Sequence, residues 1–303
     1  MNTRFRYSRS MNAQFQTALT LDAIRAIAPS AFAQSAHESR SSRYTYIPTS
    51  EIIDGLMRQG FQPFKAAQSR SRIEGKSEFT KHMIRFRHAD SLATANPEAI
   101  PEVVLVNAHD GTSAYKLFAG IFRMVCTNGL IVADKLVSSQ NVQHKGNIVD
   151  NVIEGSFQII GDTVKTLGRV DEFRQLRLSD GEQNAFADAA RELRFADSEG
   201  TISTPITATQ LLAPRRREDM DENAVSYGRP GHDLWRTLNT VQENVIRGGL
   251  TGVQFVTDER GRRKRQKKTT REITGIDQDV KLNRALWMLA ERMAELKGER
   301  LAA

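Results

Sequence analysis

The chain has 303 residues, is 39% hydrophobic and 26% charged, and carries 43 Lys and Arg against 36 Asp and Glu for a formal net charge of +7. That length and composition exclude a wholly disordered chain and allow a core of ordinary size without staples. The single cysteine, Cys126, excludes an intramolecular disulfide and any zinc site built on two or more thiolates. No apolar run nears the roughly 20 residues that a membrane-spanning helix needs. The N-terminal MNTRFRYSRS has arginines but no apolar h-region. A cytoplasmic protein without membrane contact is therefore expected. Its excess of positive charge favours acidic partners, nucleic acid first.

Residues 1–43 read as a basic arm with Arg4, Arg6 and Arg9, followed by one short helix. Thr20 is a suitable N-cap, and Ala28 before Pro29 a suitable end. Gln34–Arg43 is a Ser/Arg-rich connector. Residues 44–170 form the predicted α+β core. Tyr44–Pro48 is a short extended entry, and Thr49 or Ser50 caps a helix with Ile52, Ile53, Leu56 and Met57 at helical spacing. Gly60 stops it. Strands are predicted over Phe61–Ala67, Phe79–His88 and Glu102–Ala108. The turn signal His109-Asp110-Gly111-Thr112 then leads into a fourth, antiparallel strand over Tyr115–Val125. Asn128-Gly129 marks another turn or break.

From about residue 147 the periodicity is helical, with Val149, Val152, Ile153, Ile160, Val164 and Leu167 in one stripe. Residues 171–303 form the predicted helical region. Ser179 to Glu182 resembles a capping box, opening a helix with Phe186, Ala189, Ala190 and Leu193 inward. Residues 198–231 read as an exposed loop containing Arg215–Arg217. A further helix runs from Leu234 to Arg247, with Trp235, Leu238, Val241 and Val245 inward, and Gly248-Gly249 ends it. Residues 257–274 are poor in apolar side chains and very basic. The last helix, Asp279 to Lys297, carries Leu282, Leu286, Trp287, Leu289 and Met293. The fold class is therefore α+β: an antiparallel sheet with a packed helix in the N-terminal half, then a mostly helical C-terminal half.

The basic segment is the strongest local signal. Arg260, Arg262, Arg263, Lys264, Arg265, Lys267, Lys268 and Arg271 lie within twelve positions. Their mutual repulsion makes this stretch costly unless an anion neutralises it, the plain alternative being a solvated loop. A second basic zone lies on the strands. Arg70 and Arg72 precede Lys81, Arg85 and Arg87, and alternation places Lys81, Met83, Arg85 and Arg87 on one face. Such a face would follow a phosphate backbone while Tyr46, Phe61 or Phe64 stack on bases; the alternative is that the rings are core. Arg123 is a lesser candidate. His109-Asp110 is a poor acid–base pair, because neighbours on a turn seldom converge on one atom. No HExxH pattern or two-metal carboxylate set is found, and Gly248–Gly252 lacks a P-loop lysine. Cys126 reads as a small apolar residue. No catalytic residue, metal or cofactor is assigned.

Several segments resemble a family of phage- and plasmid-like proteins known only as a domain of unknown function (number 932). They include Ala28–Phe32, Tyr44–Thr49, Gly60–Phe64, Gln68–Arg70, Lys81–Arg87, Asn107–Ser113, Phe122–Cys126 and Asn128-Gly129. The resemblance covers residues 20–170 and, less closely, Leu282–Trp287. It implies a mobile-element setting and no settled activity. The order of elements is also similar to single-strand annealing proteins of the Erf and RecT kind, which oligomerise and hold DNA in a basic groove. The expectation is a non-enzymatic protein binding nucleic acid, single-stranded DNA above all, in plasmid or phage recombination or replication. A homo-oligomer is expected with it. A factor binding a host protein and a metal-dependent enzyme acting on nucleic acid are the alternatives.

Overall fold

The computed structural model describes residues 17–35, 37, 46–71, 73, 75–93, 99–123, 128–132, 140–142, 147–220, 229–257 and 259–302. Arg4, Arg6, Arg9, Arg72 and Cys126 lie outside the described residues. The chain divides into two units, Met1–Gly168 and Arg169–Ala303.

In the first unit, Thr20 caps helix α1 (Leu21–Ile27) by accepting a hydrogen bond from the Ala23 N–H at 3.2 Å. Pro29 opens a 3-10 turn immediately after it. Helix α2 (Thr49–Arg58) buries Ile52, Ile53 and Leu56. Gly60, at φ +86°, reverses the chain into strand β1 (Phe61–Gln68), a backbone conformation that disfavours side chains. Strand β2 (His82–His88) begins three residues later than the periodicity suggests, because Ser77–Phe79 form a 3-10 turn. A short helix α3 (Ala89–Ala93) follows, then β3 (Ile100–Asn107) and β4 (Tyr115–Arg123). Strands β5 (Asn128–Ile131) and β6 (Gln140–Val142) complete the sheet.

All pairings are antiparallel, in the order β1-β2-β3-β4-β5, with β6 also pairing with β4. Asn128-Gly129 is therefore not a break but the start of β5. Phe122 lies opposite Gly129, and a Cβ there would overlap the Arg85 guanidinium. The long helix α4 (Ile148–Gln175) begins in the first unit. There Gly55 of α2 brings Ile153 and Val149 of α4 to 3.2 Å from where its Cβ would stand. Phe157 meets the Phe61 ring edge-on at 5.1 Å.

In the second unit, helix α5 (Asp180–Phe195) opens with the expected capping box. The Glu182 N–H donates to Ser179 Oγ at 3.3 Å, and the Ser179 N–H donates to Glu182 Oε2 at 2.7 Å. Its buried face uses Gln183, Phe186, Ala187 and Ala190, while Leu193 is exposed. Over 198–220 the stretch is less loop-like than its composition suggests, while 221–228 lie outside the described residues. Thr207 and Gln210 form a second capping box on the one-turn helix α6 (Ala208–Leu211), and Ile206, Leu211 and Leu212 are buried. Helix α7 (Leu234–Arg247) is buried on nearly all sides. Part of its polar side bonds internally: Gln242 Nε2 donates to Asn283 Oδ1 at 2.9 Å, and Asn244 Nδ2 to the Leu211 and Ala213 carbonyls at 2.8 and 2.9 Å. After α7, strands β7 (Thr251–Thr257) and β8 (Arg263–Thr269) form a separate antiparallel pair, and helix α8 (Ile276–Ala302) ends the chain.

Candidate nucleic-acid interface

Alternation correctly places Arg85 and Arg87 on one face of β2, but that face is interior. Both are 2% exposed, and Glu102 of β3, 1% exposed, turns one carboxylate oxygen to each of them. Arg85 Nε donates to Glu102 Oε2 and Arg87 Nε to Glu102 Oε1, each at 2.8 Å. Arg85 also donates to the Gly129 and Leu130 carbonyls at 2.9 and 2.7 Å. The Arg87 guanidinium lies 3.7 Å from the Phe122 ring centroid and 4.1 Å from that of Phe64. Phe64 is the extra residue of a bulge between Pro63 and Lys65. Burial lowers the Arg87 pKa, and Glu102 opposes the shift by favouring the charged form.

Arg85 and Arg87 are thus tied to a carboxylate inside the sheet and do not form a phosphate-contacting surface. Arg123 is also 2% exposed and is withdrawn with them. The same correction applies to the stacking rings. Phe61 and Phe64 are core, at 0% and 4% exposure, and the Tyr46 hydroxyl donates to the Ala33 carbonyl. Arg70 is exposed and Lys81 half-buried. They flank the end of β1–β2 where the Ser69 N–H donates to the Lys81 carbonyl.

A second polar centre surrounds the start of α2. Thr49 Oγ1 lies 2.8 Å from His82 Nε2, 3.1 Å from His109 Nε2 and 3.1 Å from Asn107 Nδ2. Ser30 Oγ lies 3.0 Å from His82 Nδ1. Hydroxyls on both imidazole nitrogens look like a nucleophile–base pair, yet Ser30, Thr49, His82 and His109 are all fully enclosed. Burial first, and then His109, lower the His82 pKa to about 3, so the ring is neutral and a poor base near pH 7. Asp110 is held by Thr112 and Lys76. Burial raises its pKa, but hydrogen bonds from Thr112 and the Lys76 ammonium at 3.5 Å outweigh that, and the net shift is downward. The centre holds α2 against the sheet. No group of His, Cys, Asp or Glu suited to a metal ion occurs among the described residues. No helix there is long and apolar enough to cross a membrane.

The basic segment of 257–274 supplies β8, which pairs with β7 in a two-stranded ribbon. Directly opposite residues share a face. One face therefore carries Val253 and Phe255 with Arg263, Arg265 and Lys267; the other carries Gln254 and Val256 with Lys264, Gln266 and Lys268. Arg263, Lys264, Arg265 and Lys267 are exposed, Lys268 is half-buried, and neither strand contains Asp or Glu. Arg262 is exposed at the turn, beside Gly261 at φ +72°.

The ribbon is anchored at its base through the second face. A Cβ at Gly252 would overlap the Pro205 carbonyl, and Lys268 Nζ donates to the Ser203 carbonyl at 2.8 Å. Gln210 Nε2 donates to the Thr251 carbonyl at 2.9 Å. The first face keeps Phe255 56% exposed, with the Arg263 guanidinium 4.3 Å from its ring centroid. Nearby, Arg216 and Arg247 reach Glu243 Oε1 at 3.4 and 3.1 Å, and Arg215 Nε reaches Asn244 Oδ1 at 2.7 Å. The Arg215–Arg217 run is thus partly spent on the end of α7, where cations also suit the helix dipole.

Phe255 was absent from the residues picked out by sequence. Its signal is Thr251-Gly-Val-Gln-Phe-Val-Thr257, a β-prone stretch without charge, followed by Arg260-Gly261 and the basic run.

These features define a mixed α+β protein with an antiparallel sheet in its first half and a basic β-ribbon in its second. The chain belongs to the family described as Domain of unknown function (DUF932), which matches residues 36–287. It is similar to the UPF0380 protein YafZ of Escherichia coli (strain K12), 42% identical over 275 residues that cover 91% of each chain. It is also similar to the UPF0380 protein YfjQ of the same organism, 41% identical over 275 residues with the same coverage. No solved structure matches it.

Proposed function

We propose that the protein is a non-enzymatic nucleic-acid-binding protein that captures the phosphate backbone on its β7–β8 ribbon. The observation that carries this reading is an exposed ribbon with basic side chains on both faces and no acidic residue on either strand. A two-stranded ribbon of this charge is unfavourable alone, since it has little core and strong self-repulsion. A polyanion relieves the repulsion and gains counterion release. The exposed Arg70 and the half-buried Lys81 of the first unit, just outside β1 and β2, are secondary candidates. The expected setting is recombination or replication of a plasmid or phage.

The test is fluorescence anisotropy of a labelled oligonucleotide across a salt series. If Arg263, Lys264, Arg265 and Lys267 each meet one phosphate of a single strand, the log–log salt slope is about −2.8, or a loss of about 50-fold between 50 and 200 mM salt. Replacing Arg263, Arg265 and Lys267 by Gln should leave a slope of about −0.7. No binding by the unaltered protein at 50 mM salt overturns the proposal. The homo-oligomer expected of an annealing protein is tested by light scattering with and without oligonucleotide; a strict monomer of 34.0 kDa in both removes it.

A further inference from the structure

Building on the nucleic-acid reading of the ribbon, we infer that Phe255 is a base-stacking platform and that the ligand is single-stranded. Phe255 is a large apolar side chain 56% exposed on the ribbon face that is not used for anchoring. It lies directly across from Arg265 and diagonal to Arg263 and Lys267, with Val253 two residues before it. Arg263 stacks 4.3 Å from the ring centroid and so holds one side of the ring, while the ring's exposure leaves area for a planar partner.

An isolated exposed Phe gains nothing from water, and three neighbouring cations make an apolar protein partner a poor match. A chain of flat apolar bases joined by phosphates matches both features. Stacking is sequence-tolerant, because every base has a π-face, while the cations take the backbone. In a duplex the base faces are already covered, and reaching them means unstacking a step at a cost of a few kcal/mol. Unpaired bases carry no such cost. The ribbon therefore selects single strands by its ring and holds them by its charges.

The experiment uses the full chain, a labelled 30-nucleotide oligo(dT), and a duplex of equal length. Phe255→Leu should weaken oligo(dT) binding roughly 5- to 150-fold, the value of one base–aromatic stack, and leave the salt slope unchanged. Duplex binding should change little, so the preference for single strands falls. Phe255→Trp should retain the affinity, and its emission should be quenched saturably by oligo(dT). Trp235 and Trp287, at 1% and 0% exposure, lie beyond the reach of bases and do not contribute to that change.

Equal oligo(dT) affinity for the parent and Phe255→Leu, or saturated binding of Phe255→Trp without quenching, overturns the stacking role while leaving backbone capture intact. Tighter binding of the duplex by the parent overturns the single-strand assignment. Absence of any binding by the parent overturns both proposals together. Because Phe255 is exposed, loss of folding is not expected, and matching circular dichroism of the variants verifies this.

Discussion

Replacing Glu102 by Gln removes one charge from a site where two guanidinium groups depend on it. Arg85 Nε and Arg87 Nε each donate to a separate Glu102 oxygen at 2.8 Å, and all three residues are at most 2% exposed. A glutamine amide offers one oxygen and one NH2, so one arginine loses its acceptor and faces a donor instead. Arg85 keeps its bonds to the Gly129 and Leu130 carbonyls, and Arg87 keeps the rings of Phe64 and Phe122, but neither neutralises a buried cation. Breaking a buried pair by removing one partner costs roughly 3 to 5 kcal/mol, here on the order of 10 °C in Tm. Thermal melts by circular dichroism give the shift, and amide hydrogen exchange over 82–88 and 100–107 locates it. Oligonucleotide affinity and salt slope should stay at parental values, because neither arginine reaches the surface. A Glu102→Gln variant that melts within 1 °C of the parent, or that binds oligonucleotide with a steeper salt slope, would refute the buried assignment of Arg85 and Arg87.

Acid should destabilise the first unit through His82, whose folded pKa of about 3 lies well below its ordinary value of 6.5. Between those values the unfolded chain binds the extra proton, so stability is complete above about pH 6.5 and falls as pH drops, by roughly 1 kcal/mol per pH unit. Urea midpoints between pH 6.5 and 4.5 measure this slope above the window of the depressed carboxylates, and a His82→Gln variant with the parental slope would contradict it. Glu182 loses protection in a lower window: Lys297, with the Ser179 N–H second, holds its pKa to about 2. Gly252→Ala should unseat the ribbon from Pro205, since the clash is with backbone and cannot be relieved by a rotamer change. Faster hydrogen exchange over 251–269 and a destabilisation of about 1 to 3 kcal/mol are expected, and unaltered exchange would count against the anchoring described.

Local signals were legible at many places where one stretch of chain sufficed to specify its own conformation, although Pro48, not Thr49 or Ser50, is the N-cap of α2, and Thr49 Oγ1 is hydrogen-bonded to His82. Thr20 before Leu21, and Ser179 with Glu182, are caps whose donors and acceptors lie within three residues. Gly60 and Gly248 end helices because a positive φ suits glycine. Helical spacing identified the inward face of α7 from Trp235, Leu238, Val241 and Val245. Leu193 was misassigned as inward because the spacing of α5 alone does not say how far along the helix its neighbours extend.

The sequence by itself determined the α+β class, the order of most elements, and the fact that Arg85 and Arg87 share a face, since all of these follow from periods of 2 and 3.6 residues. Only the tertiary structure decided that this face is interior. The deciding groups, Glu102 and Gly129, arrive from strands 15 and 44 residues away in the chain, and no local period encodes that meeting. The ribbon divides in the same way. Its charge is plain in the sequence, but its two faces exist only because β7 pairs with β8 in one register, placing Phe255 among arginines that follow it by eight and ten positions. Charge and propensity are properties of single residues, whereas burial and stacking are properties of pairs that folding alone brings together.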